Sequence, residues 1–282
     1  MLRGMYTGAS GMIAQMNRMD AVANNLANVD TTGYKRDTAI FKAFPELLLR
    51  RANDEGVYTF PMGSVDTMPI VGKLGTGVEL NEVFTGFEQG SMQSTGNDFD
   101  MALDGQGFFS VQTLNGERYT RNGAFFLNNE GWLVNKNGDK VLGEEGPVQL
   151  QKYNFMIDQD GVIWRDATHA GDAARLVSMY EVKWENLERV DRLKLVNFEQ
   201  TRYLQKQGDS HWKDTPESGP AVIIPEDARP KVRTGYLEAS NVNPISEMVQ
   251  MIEVNRAYEA NQKSIQTHDT LVGRLINEVG RV

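Results

Sequence analysis

Residues 5–26 read MYTGASGMIAQMNRMDAVANNL, and the spacing of their apolar side chains sets the expectation for the whole chain. Met5, Met12, Met19 and Leu26 recur every seven residues, and Ala9, Met16 and Ala23 follow the first three by four. Alternating four- and three-residue steps put these side chains on one narrow stripe of an α-helix, the seam of a coiled coil. Gly4, Gly8 and Gly11 run beside the stripe and leave room for another backbone to approach. Each glycine costs an isolated helix about 0.8–1 kcal/mol relative to alanine, so the segment depends on a packing partner.

The other end of the chain repeats the pattern. Asn243 is a good N-cap and Pro244 suits a first helical position. Met251, Tyr258, Ile265, Val272 and Val279 then recur every seven residues, with Val254, Asn261, His268 and Leu275 three after the first four. Asn261 and His268 are polar, and polar seam residues fix register and partner choice at a cost in stability. Helices are therefore expected within 1–35 and 241–282. Two readings of them stay open: an antiparallel pair that covers the domain's own core, or a surface that assembles with other subunits.

Between the helices the signals change. Residues 36–71 read as an irregular linker, because Asp54–Gly56, Pro61–Gly63 and Pro69 break regular structure while Phe41, Phe44 and Leu47–Leu49 offer anchors. Residues 72–240 read as a β-rich outer domain. Phe108–Thr113 and Glu117–Arg121 flank Asn115-Gly116, and Asn137-Gly138 and Asp160-Gly161 mark further hairpin turns. Arg175–Lys183 and Arg192–Phe198 continue the strand pattern, a subsidiary lobe is expected around 165–190, and the polar stretch Lys206–Gly219 reads as a loop. The expected fold class is α+β: N- and C-terminal helices paired as a coiled-coil-like stem, with a central antiparallel β domain.

Composition narrows the chemistry. The chain has 282 residues, a net charge of −9 and no basic block, which argues against nucleic-acid binding. It has no cysteine, so disulfides, thiolate metal sites and a cysteine nucleophile are excluded. No apolar run approaches the roughly 20 residues that span a bilayer, so the chain is not expected to be membrane-embedded. Arg3, Gln15, Asn17, Arg18 and Asp20 interrupt any cleavable export signal, so export would have to leave the N-terminus in place.

Gly72–Gly77 precedes a strand-like stretch instead of opening a helix, which removes a phosphate loop. Asp158–Gly161 begins like a calcium loop, but the twelfth position is His169 where a bidentate Glu is needed, so a tight turn is the better reading. His169, His211 and His268 are too far apart for a local metal motif; His268 lies in the helical seam and the other two are expected on loops. Asp98, Asp100 and Asp104 read as a solvated turn. No catalytic residue, cofactor or metal is expected.

The stretch Ala23-Asn24-Asn25-Leu26-Ala27-Asn28-Val29-Asp30-Thr31-Thr32-Gly33-Tyr34-Lys35 resembles the N-terminal signature of the bacterial flagellar rod and hook protein family. Gly235–Asn243 and Met248–Ser264, with Arg256-Ala257-Tyr258-Glu259, are similar to its closing signature. Thr95–Asn97, Asp100–Leu103, Gly105–Phe109 and Tyr119–Gly123 look like its β domain. The resemblance implies a structural subunit of the periplasmic rod of the flagellar basal body. Its terminal helices would pack with those of neighbours as a tube, its β domain would form an outer layer, and the whole would carry torque from motor to hook. It also implies partners: copies of the same chain, other rod and hook subunits, and the flagellar type III export apparatus, through which the chain would leave unfolded.

Within the family, the close of the chain resembles the distal rod subunit, whereas Arg192–Val196 and Gly143–Pro147 are more similar to the proximal one. Residues 46–70 match the place of an extra segment that some rod subunits carry. On this view the seam residues of both helices form the assembly surface. Asn24, Asn25, Asn28, Gly33 and Tyr34 connect helix to outer domain: the asparagines bond backbone groups near the helix end and Gly33 takes a turn conformation. The alternative is a monomeric β-domain binding protein whose helices cap its own core.

Overall fold

The computed structural model describes residues 2–51, 57–61, 63–66, 70–150, 155–166, 187–208 and 210–279. The expected strand Arg175–Lys183, His169, Asp54–Gly56, Pro69 and most of the 165–190 lobe lie outside the described residues. The described chain is α+β, with a helix near each end and antiparallel strands between them. It divides into two compact units. One holds residues 1–26, 37–84 and 244–282, the other residues 27–36 and 85–243.

In the first unit, α1 spans Leu2–Ala27 and α2 spans Pro244–Val279. Pro244 takes the first helical position, where its missing N–H is one of the donors a helix leaves unpaired anyway. The side of α1 that meets α2 is the glycine row. A Cβ built on Gly4 would lie 2.5 Å from His268 Nε2, one on Gly8 2.9 Å from Ile265 Cγ1, and one on Gly11 2.9 Å from Asn261 Nδ2. These contacts climb α1 as they descend α2, so the two segments run in opposite directions there. Gly8, Ala14, Val22 and Asn25 are the buried positions of α1.

Where residues 36–71 are expected to be irregular, the described strands between residues 37 and 85 instead nest as antiparallel pairs. Strand β1 (Asp37–Ala43) pairs with β6 (Val78–Thr85), β2 (Leu47–Arg50) with β5 (Ile70–Leu74), and β3 (Val57–Phe60) with β4 (Gly63–Asp66). The breakers mislead because Pro61 and Gly63 sit at the tip turn, where Phe60 pairs with Gly63. A register shift between Leu49 and Arg50 accommodates the ribbon's irregularity. Leu47, Leu48 and Leu49 lack alternation because all three stay exposed, so no buried face imposes a period of two.

The second unit is built on β9 (Phe108–Thr113), which follows β7 (Met92–Ser94) and β8 (Met101–Asp104). Strand β10 (Gly116–Thr120) returns along β9 through a tight turn at Leu114–Asn115, one residue earlier than the expected Asn115-Gly116 turn, with Gly116 opposite Thr113 and Tyr119 opposite Ser110. Its sheet runs in the order β11 (Phe126–Leu127), β12 (Leu133–Val134), β13 (Lys140–Val141), β9, β10, and then a hairpin within residues 205–213. Strands β14 (Phe155–Ile157), β15 (Val162–Asp166) and β16 (Leu187–Arg192) form a separate meander, and Asp158–Gly161 is its first tight turn, as read from the sequence. Strand β17 (Leu195–Asn197) pairs with β9, and its other edge takes Val222–Ile223, which is β20.

The expected loop Lys206–Gly219 holds the hairpin of β18 (Gln205–Lys206) and β19 (His211–Lys213). Trp212 is its single large apolar side chain, too little for a sequence period to register, yet it is almost wholly buried. His211, expected on a loop, is buried in that strand and contacts Asn135 Nδ2 through Nε2 at 3.1 Å.

Two hydrophobic clusters hold the unit. The larger packs Met101, Leu103, Phe109, Val111, Phe125 and Ile163 with their neighbours, and Phe109 meets Phe125 edge to face at 5.3 Å. The smaller packs Phe108, Tyr119, Val196, Phe198, Leu204 and Trp212. The unit closes with two short pairings that bring the chain's late residues back: β21 (Lys231–Thr234) on β8, and β22 (Tyr236–Glu238) on β7.

Candidate functional site

Two features stand out: the connection that follows α1, and the outer faces of the helices. The connection begins with Asn25, which is buried. Its Nδ2 donates to the Asp37 carbonyl at 2.8 Å and to Glu247 Oε2 at 3.2 Å, while its Oδ1 accepts the Asp37 N–H at 2.9 Å. One amide side chain thus ties the end of α1, the start of the hairpin arm and the first turns of α2, all within the first unit. Asn24 lies beside it and is exposed.

The rest of the connection belongs to the β-rich unit. Asn28 caps a tight turn, accepting the Thr31 N–H at its carbonyl and the Thr31 hydroxyl at Oδ1. Gly33 has φ +67°, a region glycine enters without strain. A Cβ there would fall 2.5 Å from the Asn122 backbone nitrogen, and its own N–H donates to the Glu238 carbonyl at 2.8 Å. Tyr34 is buried, with Lys206 Nζ 4.2 Å from its ring centre. Arg36 N donates to Asn241 Oδ1 at 2.8 Å and its carbonyl accepts Gly86 N at 2.9 Å.

The connection also carries a buried charge cluster. Lys35 Nζ lies 2.6 Å from Glu238 Oε1 and donates to the Glu88 carbonyl at 2.7 Å. Arg121 Nη1 is 3.5 Å from Glu238 Oε2, and its Nη2 donates to the Gly105 carbonyl at 2.7 Å. Burial pushes the Lys35 ammonium below its usual range, opposed by the adjacent Glu238, and burial lowers the Arg121 guanidinium as well. No local motif or spacing gives these three positions a role. The available signal is that Lys35, Arg121 and Glu238 come one each from three of the stretches that carry the family resemblance.

On the helices, the stripe read in α2 coincides with its less exposed side. Val254 is buried, Met251, Tyr258, Asn261, Ile265, His268 and Val272 are partly buried, and Leu275 is exposed. The stripe read in α1 does not fall on the face that meets α2. Met5, Ala9, Met12, Met19 and Leu26 are partly buried, and Met16 and Ala23 are exposed. Beyond both stripes, Tyr6 and Ile13 on α1 and Ile245, Met248, Val249 and Ile252 on α2 lie in solvent, with Ile245 73% exposed. The last four follow i, i+3, i+4, i+7 spacing and form one apolar patch on a single helical face.

Among the described residues, no group of three or more His, Asp and Glu side chains is placed to hold a metal ion. The β-rich unit has an open groove of about 880 Å³ lined by Phe99, Phe126, Asn128, Gln149 and Arg165 among others. Its charged residues, Glu130 and Arg165, form no nucleophile–base arrangement. No described helix is long and apolar enough to cross a membrane.

Comparison with known proteins agrees with this picture at both ends and in the middle. Residues 5–35 match the family described as flagella basal body rod protein, residues 102–165 the flagellar hook protein FlgE/F/G D1 domain, and residues 233–278 the flagellar basal body rod FlgEFG protein C-terminal family. The flagellar basal-body rod protein FlgG of Buchnera aphidicola subsp. Schizaphis graminum is 32% identical over 283 residues, covering 98% of this chain and 99% of that protein. The rod protein FlgF of Caulobacter vibrioides is 31% identical over 99% of this chain and 98% of its own length. The hook-basal body complex protein FlhO of Bacillus subtilis is 30% identical across the full length of both. With identity at this level sustained from end to end, the chain belongs to the flagellar basal-body rod and hook protein family.

Proposed function

We propose that this chain is a non-enzymatic structural subunit of the flagellar basal-body rod, polymerising through its terminal helices into the periplasmic drive shaft that carries torque to the hook. The observation that carries the reading is the apolar surface left on the helical unit. Tyr6, Ile13 and Met16 on α1 and Ile245, Met248, Val249 and Ile252 on α2 are exposed, whereas the β-rich unit packs most of its large apolar side chains into two clusters and exposes others, such as Leu114 and Val222, on turns and an edge strand. The seam residues Met5, Met12, Met16, Met19, Met251 and Tyr258 add flexible or broad apolar surface, and methionine adapts to the slightly unequal neighbours of a helical polymer.

The opposed contacts of Gly4, Gly8 and Gly11 with His268, Ile265 and Asn261 support a coiled-coil-like antiparallel stem. The connection through Asn24, Asn25, Asn28, Gly33 and Tyr34 then carries the chain from stem to outer domain. The partners are further copies of this chain and other rod and hook subunits, and the route outward is the flagellar type III export apparatus. Ile13→Asp and Ile252→Asp each place a charge in an exposed apolar face. They are expected to leave the circular dichroism of the monomer intact and to abolish sedimentable assemblies. Assembly of both variants at the level of the unmodified chain would end this reading.

The glycine-row contact also favours a second reading, in which the helices only cap the monomer. Hydrogen exchange on dilute monomer separates the two: strong protection along all of α1 and α2 supports capping, and weak protection supports ordering on assembly.

A further inference from the structure

The Lys35–Glu238–Arg121 cluster joins parts of the β-rich unit that are made at very different times. Its cations lie at residues 35 and 121, and the carboxylate that contacts both lies at residue 238. All three side chains are at most 3% exposed. The Glu238 carboxylate also accepts the Gly90 N–H at 2.9 Å, and its backbone carbonyl accepts the Gly33 N–H at 2.8 Å. It sits on β22, the last strand of the unit, paired with β7. The buried part of the cluster is unequal in charge: two buried cations share one buried carboxylate, and the Glu88 carboxylate, which also favours the Lys35 charge, is exposed. Loss of Lys35 leaves Arg121 facing Glu238. Loss of the Glu238 charge leaves an ammonium and a guanidinium buried together, and an uncompensated buried charge is strongly destabilising where a compensated one is not.

We infer that Glu238 is a closing clasp: the β-rich unit reaches its stable state only when this carboxylate enters between Lys35 and Arg121. A chain made or passed along from its N-terminus presents both cations long before residue 238 arrives. Until then, burying Lys35 and Arg121 beneath the sheet is opposed, and the unit stays open and unfoldable. The arrangement gives the fold a built-in order, with the end of the insert as its last step. An ordinary structural ion pair would behave differently, because its two partners matter about equally and neither controls the other half of the domain.

The test uses the full-length chain and amide hydrogen exchange in Met101–Asp104, the strand that pairs with residues 231–234. Glu238→Gln is expected to lower protection there by at least about 100-fold, whereas Lys35→Met lowers it by roughly tenfold or less. Adding Lys35→Met to Glu238→Gln is expected to restore roughly tenfold or more of the lost protection, since one of two unpaired cations is gone. If Glu238→Gln alone fails to fold, recovery of protection in the double variant still supports the clasp. Equal losses from the two single variants, no loss from Glu238→Gln, or a double variant no better protected than Glu238→Gln would each overturn it.

Discussion

The two units of this chain bury their apolar side chains to different degrees. In the β-rich unit Phe109, Val111, Ile163 and Leu195 are buried to 1% exposure or less, whereas in the helical unit Tyr6 and Ile245 are more than 70% exposed. Each inner strand of the β-rich unit meets neighbours on both edges and clusters against its faces. A pair of helices and a two-stranded ribbon have too few neighbours to do the same, and a lone ribbon is marginal in water. Leu47, Leu48, Leu49, Ile70 and Val71 are exposed along that ribbon for this reason. The difference teaches that apolar content alone does not close a core; the number of layers does.

The comparison can be broken most forcefully from inside the β-rich unit. Phe109→Ala removes a ring packed against Phe125 and is expected to cost about 3–5 kcal/mol, read from denaturant unfolding followed by tryptophan fluorescence. The same unfolding curve run on an exposed-site variant supplies the contrast. A smaller effect is expected where the helices touch. Gly8→Val puts a branched side chain where even a Cβ comes within 2.9 Å of Ile265, so overpacking of about 1–3 kcal/mol should appear as faster exchange of the α1 amides. Unchanged exchange would mean that the glycine row is not the face that matters.

A third effect belongs to high pH. Burial pushes the Tyr119 phenol up to about 12, above the value near 10 of an unfolded tyrosine. Below pH 10 the group is protonated in both states and its contribution is fully present. Between pH 10 and 12 the unfolded chain releases the proton first, so stability falls as pH rises. Tyr119→Phe is expected to flatten the alkaline decline by on the order of 2 kcal/mol at most, seen in the pH dependence of the unfolding midpoint. Smallest of all, Leu48→Ser on the ribbon should change monomer stability by about 0.5 kcal/mol or less, since the side chain contributes nothing to a core. A loss of several kcal/mol there would show that the ribbon is packed after all.

Much of this was legible in the sequence wherever the signal is local. The α2 stripe from Met251 to Val272 falls on the less exposed side, Pro244 opens the helix, Asp158–Gly161 turns the chain between paired strands, and the turn read at Asn115-Gly116 sits one residue earlier, at Leu114–Asn115. The α1 face was half legible. The methionine period misses the side that comes close to α2, while the row Gly4, Gly8 and Gly11, expected to leave room for another backbone, is that side. The ribbon escaped because β2, exposed along its whole length, shows no alternation. Trp212 escaped because one residue makes no pattern. The Lys35–Glu238 contact spans 203 positions, and no spacing rule reaches that far.

The nested hairpin has a consequence of its own. Its strands leave and return at one place, and the Gly86 N–H bonded to the Arg36 carbonyl at 2.9 Å pins the two ends of the stalk together. Rungs added or removed in pairs near the Phe60–Gly63 tip shift nothing at that root, because register below the change is untouched. The ribbon's length is therefore a dial that can turn without disturbing the pairing at its root. A longer or shorter ribbon can be carried on the same two helices and the same β-rich unit, as tools with interchangeable bits share a handle.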